Sequence, residues 1–386
     1  MRILVREISP CRRPVLPVTT ALFILAAASA LPASPAEAPT PPRTGQQIFL
    51  ETCAACHGPD GRGQSRSRVG FDVPLPDFTD SSFASREPDA DWVGIAINGG
   101  PSRGFSEIMP SFGKALSFEE IALAVAHIKT FSEDKRWPPG EFNLPRPLVT
   151  GKAYPEDEAV FTLAVSEKMD SVTGKIIYEK RFGPRNMWEV VLPYGWSERM
   201  TAPPDPATEW GASLGDAAVA VKRAFYHDIR RGSILSGVAE LILPTGDESS
   251  GFGKGTFILE PFLAYGQILP ADFFLQAQAG MELPVRKEKA ESEAFLRLAV
   301  GRSINFKPYG RTWSPMVEIL AAKELVAGEK ALFDVVPQVQ VTLNKRQHIM
   351  FNIGVRLPLN ETKGRNFTVL AYLIWDWFDG AFFDGW

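Results

Sequence analysis

The chain has 386 residues, of which 45% are hydrophobic and 22% are charged, and its formal net charge is −4. This length exceeds that of one ordinary domain and the balanced composition excludes a disordered chain, so two folded units are expected. The acidic balance, without a clustered basic surface, argues against a protein that binds nucleic acid.

The first thirty residues have the pattern of a secretory signal peptide. The basic part contains Arg2, Arg6, Arg12 and Arg13. An apolar stretch over residues 21–28 follows, and Ala28-Ser29-Ala30 provides small residues at the cleavage spacing. The apolar stretch is too short for a membrane-spanning helix, although a retained anchor is the alternative. We therefore predict that residues 1–30 are removed on export.

The run Cys-Ala-Ala-Cys-His over residues 53–57 predicts covalent attachment of one haem c. Of three cysteines, Cys11 leaves with the signal peptide, so Cys53 and Cys56 remain. Two intervening residues let one turn present both thiols to the haem vinyl groups, and His57 is then placed as the proximal iron ligand. The alternatives are a thioredoxin-like dithiol, which lacks a βαβ pattern here, and a zinc site, which lacks a second cysteine pair.

The surroundings of this motif resemble the class I cytochrome c family. Residues 44–49 are typical of its opening helix, and the glycine-rich run 58–63 is typical of a loop around the haem edge. Ser117 and Glu120 form a predicted capping box that starts an apolar-periodic helix. The resemblance covers residues 44–135 and implies a small all-α haem domain.

Met109 is the candidate for the distal iron ligand. Apart from Met1, it is the only methionine before residue 169. Its Met-Pro dipeptide resembles the loop that carries the axial sulfur in this family, where a thioether raises the reduction potential. The alternative ligand is His127, which lies within the predicted helix beside apolar residues. Trp92 and Arg103 are interpreted either as neighbours of the haem or as ordinary core and surface residues.

The composition changes at Arg136. Residues 136–154 include Trp-Pro-Pro-Gly at 137–140 and Leu-Pro-Arg-Pro at 144–147. Such a segment is expected to be an extended, rather stiff linker.

Residues 155–386 show period-two alternation, which predicts β-strands. In the clearest run, Asp272 to Leu283, alternate apolar residues fall on one face. Further runs lie near 159–167, 175–182, 187–194, 216–228, 232–243, 255–268, 293–304, 313–325, 333–343, 347–357 and 366–377. We predict an all-β antiparallel barrel of about 12 strands, because many runs approach the roughly 9–11 residues of a tilted membrane-spanning strand.

The connections and the aromatic residues favour an outer-membrane barrel. Short turns, such as 183–186 and 344–346, alternate with longer polar connections, such as 195–215 and 360–365. Aromatic residues crowd the strand ends, and the chain stops at an aromatic residue. The run 240–247 resembles barrels of the transporter-like, phenol-degradation-pathway family. The alternative is a secreted soluble β-sandwich. A barrel lumen is expected to receive the side chains of Gln276, Gln278, Gln338 and Gln340.

The expected architecture is multidomain, with a haem domain on the periplasmic side of an outer-membrane barrel, and resembles fused monohaem cytochrome–porins. That resemblance implies electron transfer at or across the outer membrane, with a redox protein or an extracellular reductant as partner. The alternatives are a transporter for small organic solutes and a soluble periplasmic electron carrier. No catalytic residue is predicted: Asp247, Glu248 and His227 are interpreted as solvated polar residues, and the chain is expected to be an electron carrier and not an enzyme.

Overall fold

The computed structural model describes residues 42–168, 170–200, 208–306 and 310–376. The predicted signal peptide, residues 1–30, and the terminal Trp386 lie outside these ranges. The helical domain and the strands that follow belong to one compact unit, Thr44–Trp386. None of the helices described is both long and apolar enough to cross a membrane.

The N-terminal domain is all-α, as predicted. Its α-helices in the described residues are α1 (Gly45–Thr52), α2 (Ala54–His57), α3 (Arg66–Val69), α4 (Ser81–Ala84), α5 (Asp89–Asn98) and α6 (Phe118–Ile128). The predicted capping box at the start of α6 is confirmed, since the Ser117 side chain accepts from the Glu120 backbone and the Glu120 side chain accepts from the Ser117 backbone. Helix α1 packs on α6 and α5 through an apolar cluster that includes Ile48 and Val125.

The second domain is a closed antiparallel barrel. Its strands are β1 (Glu158–Ser166), β2 (Ser171–Phe182), β3 (Asn186–Met200), β4 (Thr208–Leu214), β5 (Ala218–Asp228), β6 (Ser233–Ile242), β7 (Ile258–Ile268), β8 (Phe273–Pro284), β9 (Glu293–Arg302), β10 (Ile304–Asn305), β11 (Thr312–Glu324), β12 (Leu332–Thr342), β13 (Ile349–Pro358) and β14 (Thr368–Asp376). Strand β1 pairs with β14, and β9 pairs with β11, so the ring closes without a free edge. Leaving out β4 and the two-residue β10, twelve strands form the wall, which confirms the predicted number.

One predicted loop is a hairpin. Residues 195–215 were expected to be a long polar connection, whereas β3 runs on to Met200 and β4 returns along it. Strand β4 pairs with β3 alone, so this hairpin extends beyond the barrel wall. Its residues Trp196 and Trp210 are both exposed. The apolar side chains of β4, Trp210, Ala212 and Leu214, alternate with Glu209, Gly211 and Ser213, but they are exposed, because the hairpin lies outside the wall.

The barrel wall is apolar outside and polar inside. On β11, Val317 and Ile319 are each 47% exposed, whereas Ser314 and Glu318 are at most 1% exposed. Other strands repeat this arrangement with the inward, buried side chains of Glu158, Glu179, Lys222, Ser236, Glu260, Gln276, Gln278, Gln340 and Asn352. A water-soluble β-domain has the opposite arrangement, with apolar side chains buried and polar ones outside. The wall is therefore built for an apolar surrounding.

Residues 144–154 lie inside the barrel. The Leu148 N–H donates to Gln338 Oε1 on β12 at 3.0 Å, and the Gly151 N–H donates to Gln278 Oε1 on β8 at 2.9 Å. The Pro145 carbonyl accepts from Gln276 Nε2 at 2.8 Å. These strands lie at different positions around the ring, so the segment is surrounded by the wall. All four glutamines predicted to face the lumen are buried, and three of them bind this segment directly.

The sequence predicts an extended, rather stiff linker over residues 136–154. Its second half lies within the lumen, where residues 144–154 are buried or half-buried. Proline residues remove backbone donors, and inward amide and carboxylate groups satisfy the backbone groups that remain. Thr150, for example, donates both its N–H and its hydroxyl to Glu318 Oε2, each at 2.6 Å.

The helical domain packs against one end of the barrel. The Arg181 guanidinium donates to the Ser82 carbonyl at 3.0 Å, and the Tyr154 hydroxyl donates to the Ser85 carbonyl at 3.0 Å. Strand β1 starts and β14 ends at this end, where the short turns 183–185 and 343–348 also lie. The up-and-down strand order puts these features together, because each pair of antiparallel strands returns the chain to the same end.

Candidate haem site

A tight turn at the end of α1 presents both cysteines and the histidine. Helix α1 ends at Thr52, and Cys53 connects it to the short helix α2. The His57 N–H donates to the Cys53 carbonyl at 3.0 Å. Gly58 then takes a φ of 74°, which a β-carbon would make unfavourable and which turns the chain away. Neither cysteine forms a disulfide.

A cavity of about 690 Å³ opens beside this turn. Cys53, Cys56, His57 and Met109 all line it, so the four residues predicted from the sequence come together at one site. Most of the remaining wall is apolar, including Phe78, Trp92, Ile95, Val125 and Ile128. An apolar cavity of this size with a few converging donors is suited to a large planar cofactor.

The surroundings of His57 favour its neutral form, which is the form that binds iron. Burial lowers the pKa of His57 below its ordinary value. Its ring stacks on Phe78 with 4.9 Å between centroids, and its Nδ1 atom is buried with no hydrogen-bond partner among the described residues. An imidazole, two thiols and a thioether around one apolar cavity are the side chains that hold a c-type haem, so the residues fit that group.

The electrostatics of Cys53 argue against the dithiol alternative. Burial raises the pKa of the Cys53 thiol, and the neighbouring Cys56 adds to the rise, while a contact with the Thr52 hydroxyl at 3.3 Å opposes it. Redox-active Cys-x-x-Cys motifs instead lower a thiol pKa to stabilise the attacking thiolate.

The loop that carries Met109 follows a 3-10 helix, Gly100–Arg103. A hydrogen bond joins the two ends of this segment, since the Gly100 N–H donates to the Met109 carbonyl at 3.0 Å. A β-carbon at residue 100 would lie 2.3 Å from the Ser106 carbonyl oxygen, so glycine is required for this close approach. The loop thereby brings Met109 to the cavity wall.

His127 lies elsewhere. Its ring packs between Phe49 and Phe131, with centroid separations of 5.6 and 5.1 Å, and it is not among the residues that line the cavity. Met109 is therefore favoured over His127 as the distal ligand.

The variant Met109→Ala tests this assignment in the holoprotein. We expect the midpoint potential to fall by about 0.1 V, a fraction of the roughly 0.8 V that axial ligands control. Added imidazole should also bind the iron more readily, because the thioether no longer competes. The control His127→Phe should leave both properties unchanged in redox titrations followed by absorbance; the reverse pattern would assign the ligand to His127.

Trp92 and Arg103, which were interpreted either as neighbours of the haem or as ordinary core and surface residues, both line the cavity. Arg103 is buried and donates to Asp91 Oδ1 at 2.7 Å. Burial, together with the charge of Glu87, raises the pKa of Asp91 to about 6, against the opposing effect of Arg103.

Two other lining residues, Arg346 and His348, come from the barrel, on the connection between β12 and β13. No sequence signal could assign them, because they lie more than 200 residues from the motif.

Comparison with known proteins identifies the helical domain. Residues 40–128 match the family model described as cytochrome c oxidase, cbb3-type, subunit III. The match extends over all six helices, so the N-terminal domain is a cytochrome c domain. No curated protein matches the chain.

Solved structures similar to the chain are barrels. The KdgM porin in complex with disordered oligogalacturonate has a TM-score of 0.36 at 10% identity, covering 56% of this chain and 98% of that one. The NanC porin has a TM-score of 0.39 at 8% identity, covering 56% and 98%. An outer-membrane channel from Pseudomonas putida F1 has a TM-score of 0.39 at 10% identity, covering 60% and 99%. These scores are too low to carry an argument, and the barrel rests on the strand pairing described above.

Proposed function

We propose that this protein transfers electrons at or across the outer membrane through one haem c, held at the periplasmic end of a membrane barrel. The observation that carries the proposal is the cavity that joins Cys53, Cys56, His57 and Met109 to residues of the barrel end. A bound haem c would supply a one-electron couple at its iron.

The chain's own residues would fix and shield that group. Cys53 and Cys56 would hold it by two thioether bonds, and His57 and Met109 would bind its iron. With both of these ligands bound, the site would be suited to electron transfer and not to turnover at iron. Phe78 and Trp92 contribute an apolar wall that excludes water. The low polarity of this wall would influence the reduction potential of a bound haem.

The membrane location is supported by the outward face of the barrel. Apolar side chains on that face are exposed on strand after strand, and polar side chains are buried within. A closed antiparallel ring of long strands with an apolar band is the β-structure that can span a bilayer, because every wall strand has both neighbours. The haem domain precedes β1, and an even number of strands leaves both chain ends on one side.

The variant Leu263→Arg tests the location of this face. Leu263 lies in the middle of β7 and is 53% exposed, while the next residue, Ala264, is fully buried. An arginine facing lipid near the bilayer midplane should destabilise the barrel by about 2–4 kcal/mol. The measurement is the free energy of unfolding from lipid vesicles in urea.

Val285→Arg is the matched control for this variant. Val285 is 72% exposed and lies in the connection after β8. Val285→Arg should change the free energy of unfolding little, whether the outer face of the barrel contacts lipid or water. Equal stability of Leu263→Arg and the wild type would identify the face as a water-exposed surface, as in a soluble periplasmic carrier.

Solute transport is the less favoured alternative because the lumen contains protein. Residues 144–154 cross it, and they are fixed by hydrogen bonds and by apolar contacts such as that of Leu144 with Phe274 and Met316. A small organic solute would have to displace this segment.

Reconstituted vesicles distinguish electron transfer from transport. We expect the full-length holoprotein to exchange electrons with a membrane-impermeant redox dye added outside, followed by haem absorbance. The same vesicles should swell in small sugars no faster than vesicles without protein. Rapid swelling, equal for haem-loaded and haem-free protein, would instead support a transporter with an accessory cytochrome domain.

A further inference from the structure

The connection between β12 and β13, residues 343–348, contacts the loop that carries Met109. The Arg346 guanidinium donates from Nη2 to the Gly104 carbonyl at 3.0 Å. Its central carbon also lies 4.6 Å from the centroid of the Phe105 ring, within the range of a cation–π contact. Both contacted residues stand between the 3-10 helix and Met109, at the edge of the cavity.

The connection itself is firmly held by the barrel wall. Asn344 Oδ1 accepts from the N–H groups of His348 and Ile349, at 3.0 and 3.1 Å. The His348 carbonyl accepts from the N–H of Asp376, the last residue of β14, at 2.9 Å. Arg346 therefore extends from a fixed support.

A second contact flanks the same cavity. The His348 ring nitrogen Nε2 lies 2.8 Å from Glu87 Oε1, just before helix α5. The barrel thus contacts the helical domain both at the loop that carries Met109 and beside α5, and both barrel side chains line the cavity.

We propose that Arg346 is a positioning residue for the distal haem ligand, so that the barrel determines how firmly the Met109 sulfur stays on the iron. This inference rests on the proposed haem site and adds a role for the barrel in it. Groups that orient a metal ligand change metal affinity or activity about 10–100-fold when removed. Without Arg346, the loop keeps the hydrogen bond between Gly100 and Met109 but loses this contact with the barrel, and ordering residues 104–105 costs more conformational entropy. The contact with Arg346 reduces that cost.

The test is ligand competition in the full-length holoprotein. We expect Arg346→Ala to bind imidazole at the ferric iron at least tenfold more tightly than the wild type, to weaken the sulfur-to-iron charge-transfer band, and to lower the midpoint potential. Arg346→Lys keeps the charge and a donor but loses the flat guanidinium, so it should give an intermediate affinity. Lys345→Ala changes an exposed neighbour on the same connection and should match the wild type.

The outcomes separate this inference from the proposed function. If the wild-type protein lacks covalent haem or the sulfur band, the proposed site fails before any variant is compared. If the wild type has both and Arg346→Ala retains its imidazole affinity and potential, the role of Arg346 is overturned. Should Arg346→Ala not fold, Phe105→Leu removes the other side of the contact and must show the same gain in imidazole affinity, or the inference is wrong.

Discussion

Replacing Cys53 and Cys56 together with serine should abolish covalent haem while leaving the barrel folded. Serine hydroxyls do not form thioether bonds to vinyl groups, and the two cysteines are the thiols at the cavity. We expect the double variant to lose haem staining completely on a denaturing gel, where haem held only by axial ligands dissociates. The barrel should still form, because its wall and its lumen segment do not involve either residue.

Cys11→Ser is the control for this experiment. Cys11 lies in the predicted signal peptide, and the control should stain as strongly as the wild type. Haem staining that survives the double substitution would contradict covalent attachment at residues 53–57.

The variant Arg146→Ala should strongly destabilise the barrel, because Arg146 neutralises buried carboxylates in the lumen. Its Nη1 donates to Glu158 Oε1 and, at 2.7 Å, to Glu179 Oε1, and it lies 3.9 Å from Glu156 Oε2. The three carboxylates are almost completely buried. Lys152 still pairs with Glu156 and Lys222 lies 4.0 Å from Glu179, so the variant chiefly leaves the buried Glu158 carboxylate without its cation. Breaking a buried ion pair in this way costs about 3–5 kcal/mol. The measurement is the free energy of unfolding in urea from lipid vesicles.

A rescue and a control show whether buried charge is the cause. Adding Glu158→Gln and Glu179→Gln to Arg146→Ala removes two of the carboxylates that Arg146 faced and should restore much of the stability, since a neutral replacement of a buried ion pair is often tolerated. Lys330→Ala breaks an exposed pair with Glu361 and should leave stability nearly unchanged. A mild effect of Arg146→Ala would mean that the lumen is hydrated and the segment loosely held.

Swelling of vesicles is a second measurement for Arg146→Ala, because Arg146 attaches the lumen segment to the wall through its backbone as well as its side chain. The Arg146 carbonyl accepts from Asn352 Nδ2 at 3.3 Å and from the Tyr372 hydroxyl. The substitution removes the ion pairs of the Arg146 side chain and keeps the hydrogen bonds that the Arg146 carbonyl accepts. Faster swelling of vesicles that contain the variant is therefore expected if the lumen segment limits solute passage.

Local patterns predicted much of this fold. The spacing of Cys53, Cys56 and His57, together with the Met-Pro dipeptide at 109–110, predicted four side chains that do meet at one cavity. Period-two alternation predicted twelve wall strands, because each has one buried and one exposed face.

Features that depend on distant contacts could not be predicted in this way. A proline-rich run such as 144–147 has the same local preference in a solvated linker and inside a lumen, and only the inward glutamines and glutamates distinguish the two. The contact of Arg346 with Gly104 joins positions that are far apart in the chain, and an arginine on a short turn is most simply read as solvated. Strand β4 is short and interrupts a polar, proline-containing connection, so the alternation of Trp210, Ala212 and Leu214 was not recognised as a strand.

The most direct test of a haem domain joined to a membrane barrel is cell fractionation followed by haem staining of heated and unheated samples on one gel. We predict haem stain in the outer-membrane fraction, at a faster-migrating position without heating, because a folded barrel resists detergent until it is heated. Haem stain in the soluble periplasmic fraction, with the same mobility before and after heating, would contradict the joining of a cytochrome c domain to a membrane barrel.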